Sequence, residues 1–160
     1  MTSQHNVTAH PEPRRAPITT NDRDLTAALK LLDACFEAFN SADADKRAGL
    51  NNYPHVRITG ATVKIWHTRE EYARDTSRAK LLSKGETTSF KGWETTVWLT
   101  RNLIQRSEET MHFAVTFTRQ DAQGQEIAIF EALWILTKDN GRWGVQARSS
   151  FAGIADGGAY

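Results

Sequence analysis

Residues 141–151, GRWGVQARSSF, are the stretch that decides the fold of this chain. Polar and apolar side chains alternate along it, which is the period of a strand with two different faces. The preceding dipeptide, Asn140-Gly141, favours a two-residue type I′ turn because both of its positions accept positive φ. We therefore predict a final hairpin strand with one face that is neither plainly core nor plainly solvent, and such faces line pockets.

Strands dominate the second half of the chain. From Trp93 onward the apolar residues follow a period of two, and turn-forming residues interrupt the pattern between successive runs. The pattern predicts four long antiparallel strands, near residues 93–106, 110–119, 126–138 and 142–151.

Helices come first in the chain. Apolar residues at helical spacing predict an amphipathic helix over residues 24–42, capped by Asp22 or Asp24. Asp43 then favours a short helix through Leu50, and residues 53–59 follow as a strand. Thr68 and Glu71 have the spacing of a capping box, which predicts a third helix ending near residue 82.

The length of 160 residues suits one domain with one core. We predict a disordered arm over residues 1–21, because its prolines and polar residues offer no apolar period. A single domain is predicted over residues 22–155, followed by a flexible tail over residues 156–160.

Charge and composition narrow the class of partner. Charged residues make up 24% of the chain and the net charge is +1, so nothing favours nucleic acid or an anionic membrane as a partner. We find neither a run long enough for a membrane span nor a secretory signal, and we expect a cytoplasmic protein. Cys35 is the only cysteine, so no internal disulfide forms, as expected in a reducing compartment.

The predicted hairpins sort the strand residues onto two faces. If Asn140-Gly141 is a two-residue loop, Leu133 lies opposite Arg148 and Glu131 opposite Ser150, and opposed residues share a face. The first face is almost wholly apolar and carries Phe113, Val115, Phe117, Phe130, Trp134, Leu136, Val145, Ala147 and Phe151. The second face is mixed and carries Ala114, Ile129, Leu133 and Ile135 together with His112, Glu131, Gln146, Arg148 and Ser150.

Three segments carry a resemblance to a known family. A long helix running into FNSADADKRAGL (39–50), a strand at YPHVRI (53–58) and the final DNGRWGVQARSS (139–150) resemble the nuclear transport factor 2-like superfamily, on its SnoaL-like side. The resemblance implies an α+β, cone-shaped fold, in which a strongly bent antiparallel sheet wraps around the N-terminal helices. It also implies a cavity at the wide end of the cone and a homodimer formed through the outer sheet face.

The ketosteroid isomerases of that superfamily provide a test of function. They use a tyrosine on the first helix, an aspartate base after the first strand and a neutral aspartic acid on the penultimate strand. Registering the two patterns places Cys35, Thr59 or Gly60, and Leu133 at those positions, so all three chemical groups are missing. The same register turns the mixed face inward, which leaves the apolar face with Phe130 and Trp134 outside for a dimer partner.

The mixed face then predicts the candidate catalytic residues Glu131, His112 and Arg148. A carboxylate beside an imidazole and a guanidinium can move a proton while the arginine stabilises an oxyanion. The alternative is structural, because Glu131 and Arg148 also satisfy each other as a half-buried ion pair, and His112 then simply packs.

Further residues are predicted to contact a ligand around this cluster. They are Tyr53, His55, Trp66, Gln146, Ser150 and Leu133. Each also has a structural reading, as a strand entry, a helix staple or a packed strand residue. No HExxH or CxxC spacing occurs and no nucleotide-binding glycine motif is present, so we expect no metal and no cofactor.

Two functions remain open at this point. The first is a cofactor-independent isomerase, cyclase, dehydratase or hydrolase that acts on a small, mostly apolar metabolite. The second is a non-catalytic module for ligand binding or dimerisation, in which the same polar residues are structural.

Overall fold

The structure, a computed structural model, describes residues 22–77 and 91–151. Three helices and six strands are present in this part of the chain. In chain order they are α1 (Arg23–Asn40), α2 (Ala44–Gly49), β1 (Asn51–Thr59), β2 (Thr62–Trp66), α3 (Arg69–Asp75), β3 (Thr95–Arg106), β4 (Thr110–Gln120), β5 (Glu126–Asp139) and β6 (Arg142–Ser150).

The strands form one sheet in the order β2-β1-β6-β5-β4-β3. Every neighbouring pair is antiparallel except β1 and β6, which run parallel. The predicted α+β class, with helices before a mainly antiparallel sheet, is confirmed. Strand β2 was not predicted; it is a five-residue edge strand.

Side chains cap the N-termini of the helices, as the sequence predicts. Asp22 accepts a hydrogen bond from the Leu25 amide at 2.9 Å, and Thr68 and Glu71 form the predicted capping box before α3. Helix α3 ends at Asp75, earlier than predicted, and residues 78–82 lie outside the described part of the chain. The predicted arm over residues 1–21 and tail over residues 156–160 also lie outside it. Among the described residues, no helix is long and apolar enough to cross a membrane.

The core forms where α1 packs against one face of the bent sheet. Phe36 of α1 stacks on Trp98 with ring centroids 3.6 Å apart, and it meets Phe117 and Trp134 edge-on. A buried side chain of this size contributes about 1.5–3 kcal/mol, and aromatic pairs add to that. This packing makes the apolar sheet face the inner face.

The prediction that Phe130 and Trp134 lie outside was therefore wrong. Both side chains are buried, at 5% and 4% exposure, in the cluster that contains the apolar stripe of α1. The physical reason is that the stripe on α1 has to bury its apolar side chains, and the apolar sheet face is the surface that covers them. The mixed face consequently points away from the helices.

A bulge in β6 changes the predicted pairing of the final hairpin. Leu136 pairs with Val145, but the next pair is Ile135 with Ala147, so Gln146 has no partner on β5. One extra residue reverses the face of everything that follows it. Arg148 therefore lies opposite Trp134 and Ser150 opposite Ala132, both on the inner face.

The pairing register of β4 and β5 differs by two residues from the one that the sequence predicts. Phe113 pairs with Trp134, whereas a two-residue turn at Ala122-Gln123 would pair it with Ala132. The loop is longer because the Asp121 amide bonds the Gln125 carbonyl at 3.0 Å. A shift of two residues leaves each side chain on its predicted face, so the two sets of β4 and β5 residues remain as the sequence sorted them.

The turn between β5 and β6 is the predicted type. Asn140 and Gly141 have φ values of 48° and 79°, which a type I′ turn requires. Asp24 of α1 accepts hydrogen bonds from Trp143 Nε1 at 3.0 Å and Lys138 Nζ at 2.8 Å. These bonds attach the hairpin to the first turn of α1.

A second buried cluster lies where β1 and β2 meet α3. Its aromatic members are His55, Trp66 and Tyr72, all within 2% exposure. His55 Nδ1 donates to the Val145 carbonyl at 2.9 Å, and its ring lies edge-on to Tyr72 with centroids 5.3 Å apart. Burial, with the nearby charge of Arg148, lowers the pKa of His55 to about 3.

Acid should therefore weaken the fold through His55. The unfolded chain takes up a proton near pH 6.5, whereas folded His55 stays neutral down to about pH 3, so its stabilising contribution is lost as the pH falls through this window. We expect His55 to remove about 2 kcal/mol from the free energy of unfolding between pH 7 and pH 5. Urea denaturation of the wild type and of His55→Gln at both pH values measures this, and an equal pH effect in the two proteins would contradict it.

A close approach between β1 and β6 requires glycine at position 144. Asn52 Nδ2 donates to the Thr137 carbonyl at 2.9 Å, and its Oδ1 accepts from Arg142 Nη2 at 2.7 Å. A Cβ at Gly144 would lie only 2.3 Å from that Oδ1. The side chain of Asn52 thus occupies the space that any larger residue would need.

Gly144→Ala should lower the free energy of unfolding by about 1–3 kcal/mol, since it displaces a hydrogen-bonded side chain. Gly49→Ala is the matched control, because a Cβ there comes no closer than 3.5 Å to Arg69. Thermal or urea denaturation of both variants gives the comparison. A Gly144→Ala protein as stable as the wild type would show that Asn52 moves aside freely.

Candidate functional site

A cavity lies on the inner side of the sheet, between α1 and the strands, with residues of α2 and α3 in its wall. Its apolar side includes three aromatic rings, those of Phe36, Phe117 and Trp134. The wall encloses about 570 Å³ of atom-free space when its opening is counted, and the centre of a water molecule can occupy about 30 Å³ of it. This inner space is enough for a water or for one small polar group.

Two arginines converge on one tyrosine at the polar side of the cavity. Arg47 Nη2 and Arg148 Nη2 donate to Tyr72 Oη at 3.2 and 2.9 Å. Arg47 also donates to the Thr76 carbonyl at 3.3 Å. Three elements build this cluster, because Arg47 lies in α2, Tyr72 in α3 and Arg148 in β6.

Aromatic faces support both guanidinium groups. Arg148 lies over the Trp134 ring at 5.1 Å, and Arg47 lies over the Phe39 ring at 4.7 Å. Such contacts hold an arginine in place while leaving hydrogen-bond donors at the edge of its plane. The two side chains are therefore positioned by packing as well as by Tyr72.

Positive charge predominates in this wall. Arg119 contributes a third guanidinium, and burial together with the charge of Arg47 lowers its pKa to about 9. Among the described residues that line the cavity, none is an aspartate or a glutamate. A buried positive cluster of this kind attracts an anion.

The phenol of Tyr72 responds to that charge. Burial by itself would raise the pKa of Tyr72, but Arg148 and Arg47 outweigh it and, with the Asn51 side chain, lower it to about 8. Tyr72 is only 2% exposed, and the Trp66 ring meets its ring edge-on at 5.1 Å. The site therefore holds a rigid phenol that ionises more easily than usual.

Two polar side-chain atoms that β6 contributes to the wall are left without partners. In the part of the chain that the structure describes, Arg148 Nε and Ser150 Oγ are buried and make no hydrogen bond. Unpartnered buried polar atoms are costly, and cavities that bind polar ligands are where such atoms are found. Both lie on β6 beyond the bulge and line the same cavity.

The structure does not bring together the three predicted catalytic residues. Glu131 is exposed on the outer face opposite Thr116, and His112 on the same face bonds Gln105 Oε1 at 3.0 Å. Arg148 lies on the inner face because of the bulge. The sheet itself therefore separates Arg148 from Glu131 and His112, and neither the predicted catalytic cluster nor its ion-pair alternative forms.

The predicted ligand-binding residues are divided in the same way. Ser150 lines the cavity, whereas Leu133 lies on the outer face opposite Ala114. Gln146 is the bulged residue. Its side-chain Oε1 accepts a hydrogen bond from the Thr137 hydroxyl at 2.9 Å, and its Nε2 donates to the Pro54 carbonyl. Gln146 therefore holds the bulge in shape.

Three further predicted ligand-binding residues do not line the cavity, namely Tyr53, His55 and Trp66. Tyr53 Oη donates to the Ala48 carbonyl at 2.8 Å, and burial raises the pKa of Tyr53 to about 12. His55 and Trp66 both pack against the ring of Tyr72. They support a cavity residue without lining the cavity themselves.

Sequence reasoning missed Arg47 and Tyr72. Both lie in short helices whose sequences give them no distinguishing mark, and a single arginine or tyrosine in a helix is usually a surface or core residue. Only the tertiary arrangement places the two residues side by side.

Comparison by sequence finds no relatives. No protein-family model matches the chain. No curated protein matches it either.

Comparison by structure finds many similar folds. A protein of unknown function described as NTF-2 like, from Shewanella oneidensis, has a TM-score of 0.59 and 14% identity, covering 80% of this chain and 98% of its own. A ketosteroid isomerase-like protein from Erwinia carotovora has a TM-score of 0.57 and 18% identity, covering 82% and 99%. A putative calcium/calmodulin dependent protein kinase II association domain from Xanthomonas campestris has a TM-score of 0.55 and 17% identity, covering 91% and 98%.

These identities are too low to carry an activity from one protein to another. With TM-scores between 0.55 and 0.59, the similarity to these structures is one of fold. The chain has the fold of the nuclear transport factor 2-like superfamily.

Proposed function

We propose that this protein binds a small organic anion in its inner cavity. The observation that carries the proposal is the convergence of Arg47 and Arg148 on Tyr72 Oη, in a wall whose described residues include no carboxylate. The proposal replaces the predicted site on the mixed face, while keeping Arg148 and Ser150 as its members.

Electrostatics favours an anionic ligand over a neutral one. Burying a guanidinium is costly unless an opposite charge or a full set of hydrogen bonds compensates it. Arg47 is 6% exposed, and Arg148 leaves its Nε without a partner. A ligand carboxylate bound to these donors would supply both the missing charge and the missing hydrogen bond.

The shape and polarity of the cavity define the class of ligand further. Phe36, Phe117 and Trp134 would contact an apolar portion, while the arginines and Ser150 Oγ would contact the charged end. The small inner volume admits one small polar group, with the rest of the ligand toward the opening. A short aliphatic or aromatic carboxylic acid meets these conditions.

The fold supports a pocket protein without choosing a reaction. The solved structures that it resembles include an isomerase-like protein and a putative association domain, so this fold accompanies different descriptions. A SnoaL-like affiliation, a cofactor-independent reaction and a cytoplasmic location stay predictions from the sequence.

Replacing Arg148 tests the proposal. Arg148→Met keeps the contact with Trp134 but removes the donors, and it should weaken binding of butyrate or benzoate about 10- to 100-fold, the cost of a hydrogen bond to a charged group. Isothermal titration of the wild type and the variant gives the affinities. Arg74→Met is the control, since its side chain is 69% exposed and lies outside the cavity wall, and its affinity should stay within about twofold. Equal affinity for butyramide or benzamide would show that charge does not select the ligand.

We further propose a homodimer through the outer sheet face. One row across this face joins Val63, Ile58, Ser149 and Leu133 on four neighbouring strands. Val63, Ile58 and Ile65 are 60%, 39% and 47% exposed, and Ile129 on the same face is 54% exposed. Exposed apolar side chains grouped in this way support association with a second copy. The family resemblance predicted a dimer through the outer sheet face, but the residues of that face come from the mixed set, which was predicted to be inner.

Light scattering during gel filtration should give twice the mass of the chain at micromolar concentration. Ile65→Asp places a charge among the exposed apolar side chains of β2 and β1 and should shift the protein to a monomer. Gln123→Asp adds the same charge at an exposed loop position and should leave the mass unchanged. A monomeric wild type would contradict the proposal.

A further inference from the structure

Tyr72 is the described cavity residue best suited to move a proton. In the part of the chain that the structure describes, the wall contains no histidine, aspartate or glutamate. Cys35 also lines the cavity, but burial raises the pKa of its thiol to about 12, so it stays protonated. The guanidinium groups are poor bases, which leaves the phenol.

The contacts of Tyr72 prepare it for this role. Its Oη accepts from both Arg47 and Arg148, so its own proton is free to point toward a ligand. His55 and Trp66 pack edge-on against its ring and fix the direction of the hydroxyl. A catalytic group has to be held in this way if it is to meet the reacting atom repeatedly.

The two arginines also suggest which substrate would benefit. Both Nη2 atoms contact one oxygen, so they are no more than about 6 Å apart. A 2-oxo acid carries a carboxylate and a neighbouring carbonyl oxygen, and one guanidinium can bind each of them. Because Tyr72 Oη contacts both Nη2 atoms, the carbon next to the carbonyl, C3, would lie on the phenol side of a ligand bound in this way.

We propose that Tyr72 is a catalytic acid–base residue that enolises a small 2-oxo acid bound between Arg47 and Arg148. The inference rests on the proposed anion site and adds a reaction to it. It differs from the chemistry predicted on the mixed face, since neither Glu131 nor His112 reaches this side of the sheet.

The step balances without a further reagent. The phenolate of Tyr72 takes a proton from C3, the C–H electron pair becomes the C2–C3 double bond, and the carbonyl π pair moves onto the oxygen. A guanidinium stabilises the enolate oxygen that results. The Tyr72 hydroxyl then exchanges its proton with solvent and returns a solvent-derived proton to C3, which restores the oxo acid and leaves the enzyme as it began.

The ionisation of Tyr72 agrees with this role. Burial raises the pKa of Tyr72, but the charges of Arg148 and Arg47 outweigh that effect and lower it to about 8. A base whose pKa lies near the working pH is deprotonated in a large fraction of the molecules and is still strong enough to take a proton from the substrate. Because a bound carboxylate repels the phenolate, ionisation in the complex should occur at a higher pH than in the free protein.

Deuterium exchange measures the reaction directly. With 2-oxobutyrate in D₂O, the full-length protein should accelerate loss of the C3 proton signal in the NMR spectrum above the rate in buffer. Tyr72→Phe should lower that acceleration at least about 100-fold, the usual scale of general acid–base catalysis, while changing the affinity for 2-oxobutyrate by less than about tenfold. Arg74→Met, outside the site, should exchange at the wild-type rate.

The pH profile of the wild type gives a second readout, and Tyr72→Phe is its control. Exchange on saturated protein should increase as the pH rises through 8 and beyond, because the phenolate is the base. Affinity should decrease over the same range, because the phenolate competes with the ligand for the guanidinium groups. The same titrations on Tyr72→Phe should show neither dependence.

The outcomes separate the two proposals. Wild-type protein that binds 2-oxobutyrate without accelerating exchange overturns the acid–base role and leaves the anion site standing. Exchange by Tyr72→Phe at the wild-type rate, or a flat pH profile for the wild type, overturns it as well. Failure of the wild type to bind 2-oxobutyrate, butyrate and benzoate overturns the anion site and the reaction together.

Discussion

The extra residue at Gln146 is the constraint on which the inner surface of this protein depends. Without it, strict alternation along β6 would place Arg148 and Ser150 on the outer face beside Leu133. With it, both residues turn toward α1 and enter the cavity. The Gln146 side chain accepts a hydrogen bond from the Thr137 hydroxyl and donates one to the Pro54 carbonyl, and these bonds connect the bulge to the two neighbouring strands. Bulges are frequent beside functional sites because they redirect a side chain in this way.

A charged site in an apolar interior needs structural support. Arg148 rests on Trp134, Arg47 rests on Phe39, and Tyr72 accepts a hydrogen bond from each arginine. Like charges repel, so this arrangement costs stability that the surrounding core has to offset. An anionic ligand would offset this repulsion, because it would bring the opposite charge to the cluster. Destabilising arrangements of this kind are commonly found at binding sites.

Local patterns in the sequence account for much of the fold. The type I′ turn at Asn140-Gly141 and the capping box at Thr68 depend on residues close in the chain, and the structure confirms both. The division of β4 and β5 into an apolar and a mixed face also survived, because the error in their register was an even number of residues. Which of these faces is inner was predicted wrongly, since that depends on where α1 packs.

The candidate site was much less accessible from the sequence. Arg148 and Ser150 were identified as pocket residues, but by a pairing that the bulge overturned, and Glu131 and His112 were grouped with them for the same reason. A bulge has no reliable signature in one sequence, because side chains elsewhere stabilise it.

Periodicity, caps and turn residues by themselves determined the order of helices and strands, because each of these signals acts within a few residues. Tertiary structure alone decided that Arg47, Tyr72 and Arg148 meet in one cavity. Their meeting requires α2 and α3 to pack against the end of β6, and no interaction between neighbours in the sequence specifies that distance or direction. The alternation in residues 141–151 therefore predicted a strand that lines a pocket, whereas the bulge and the helices decided which of its side chains line it.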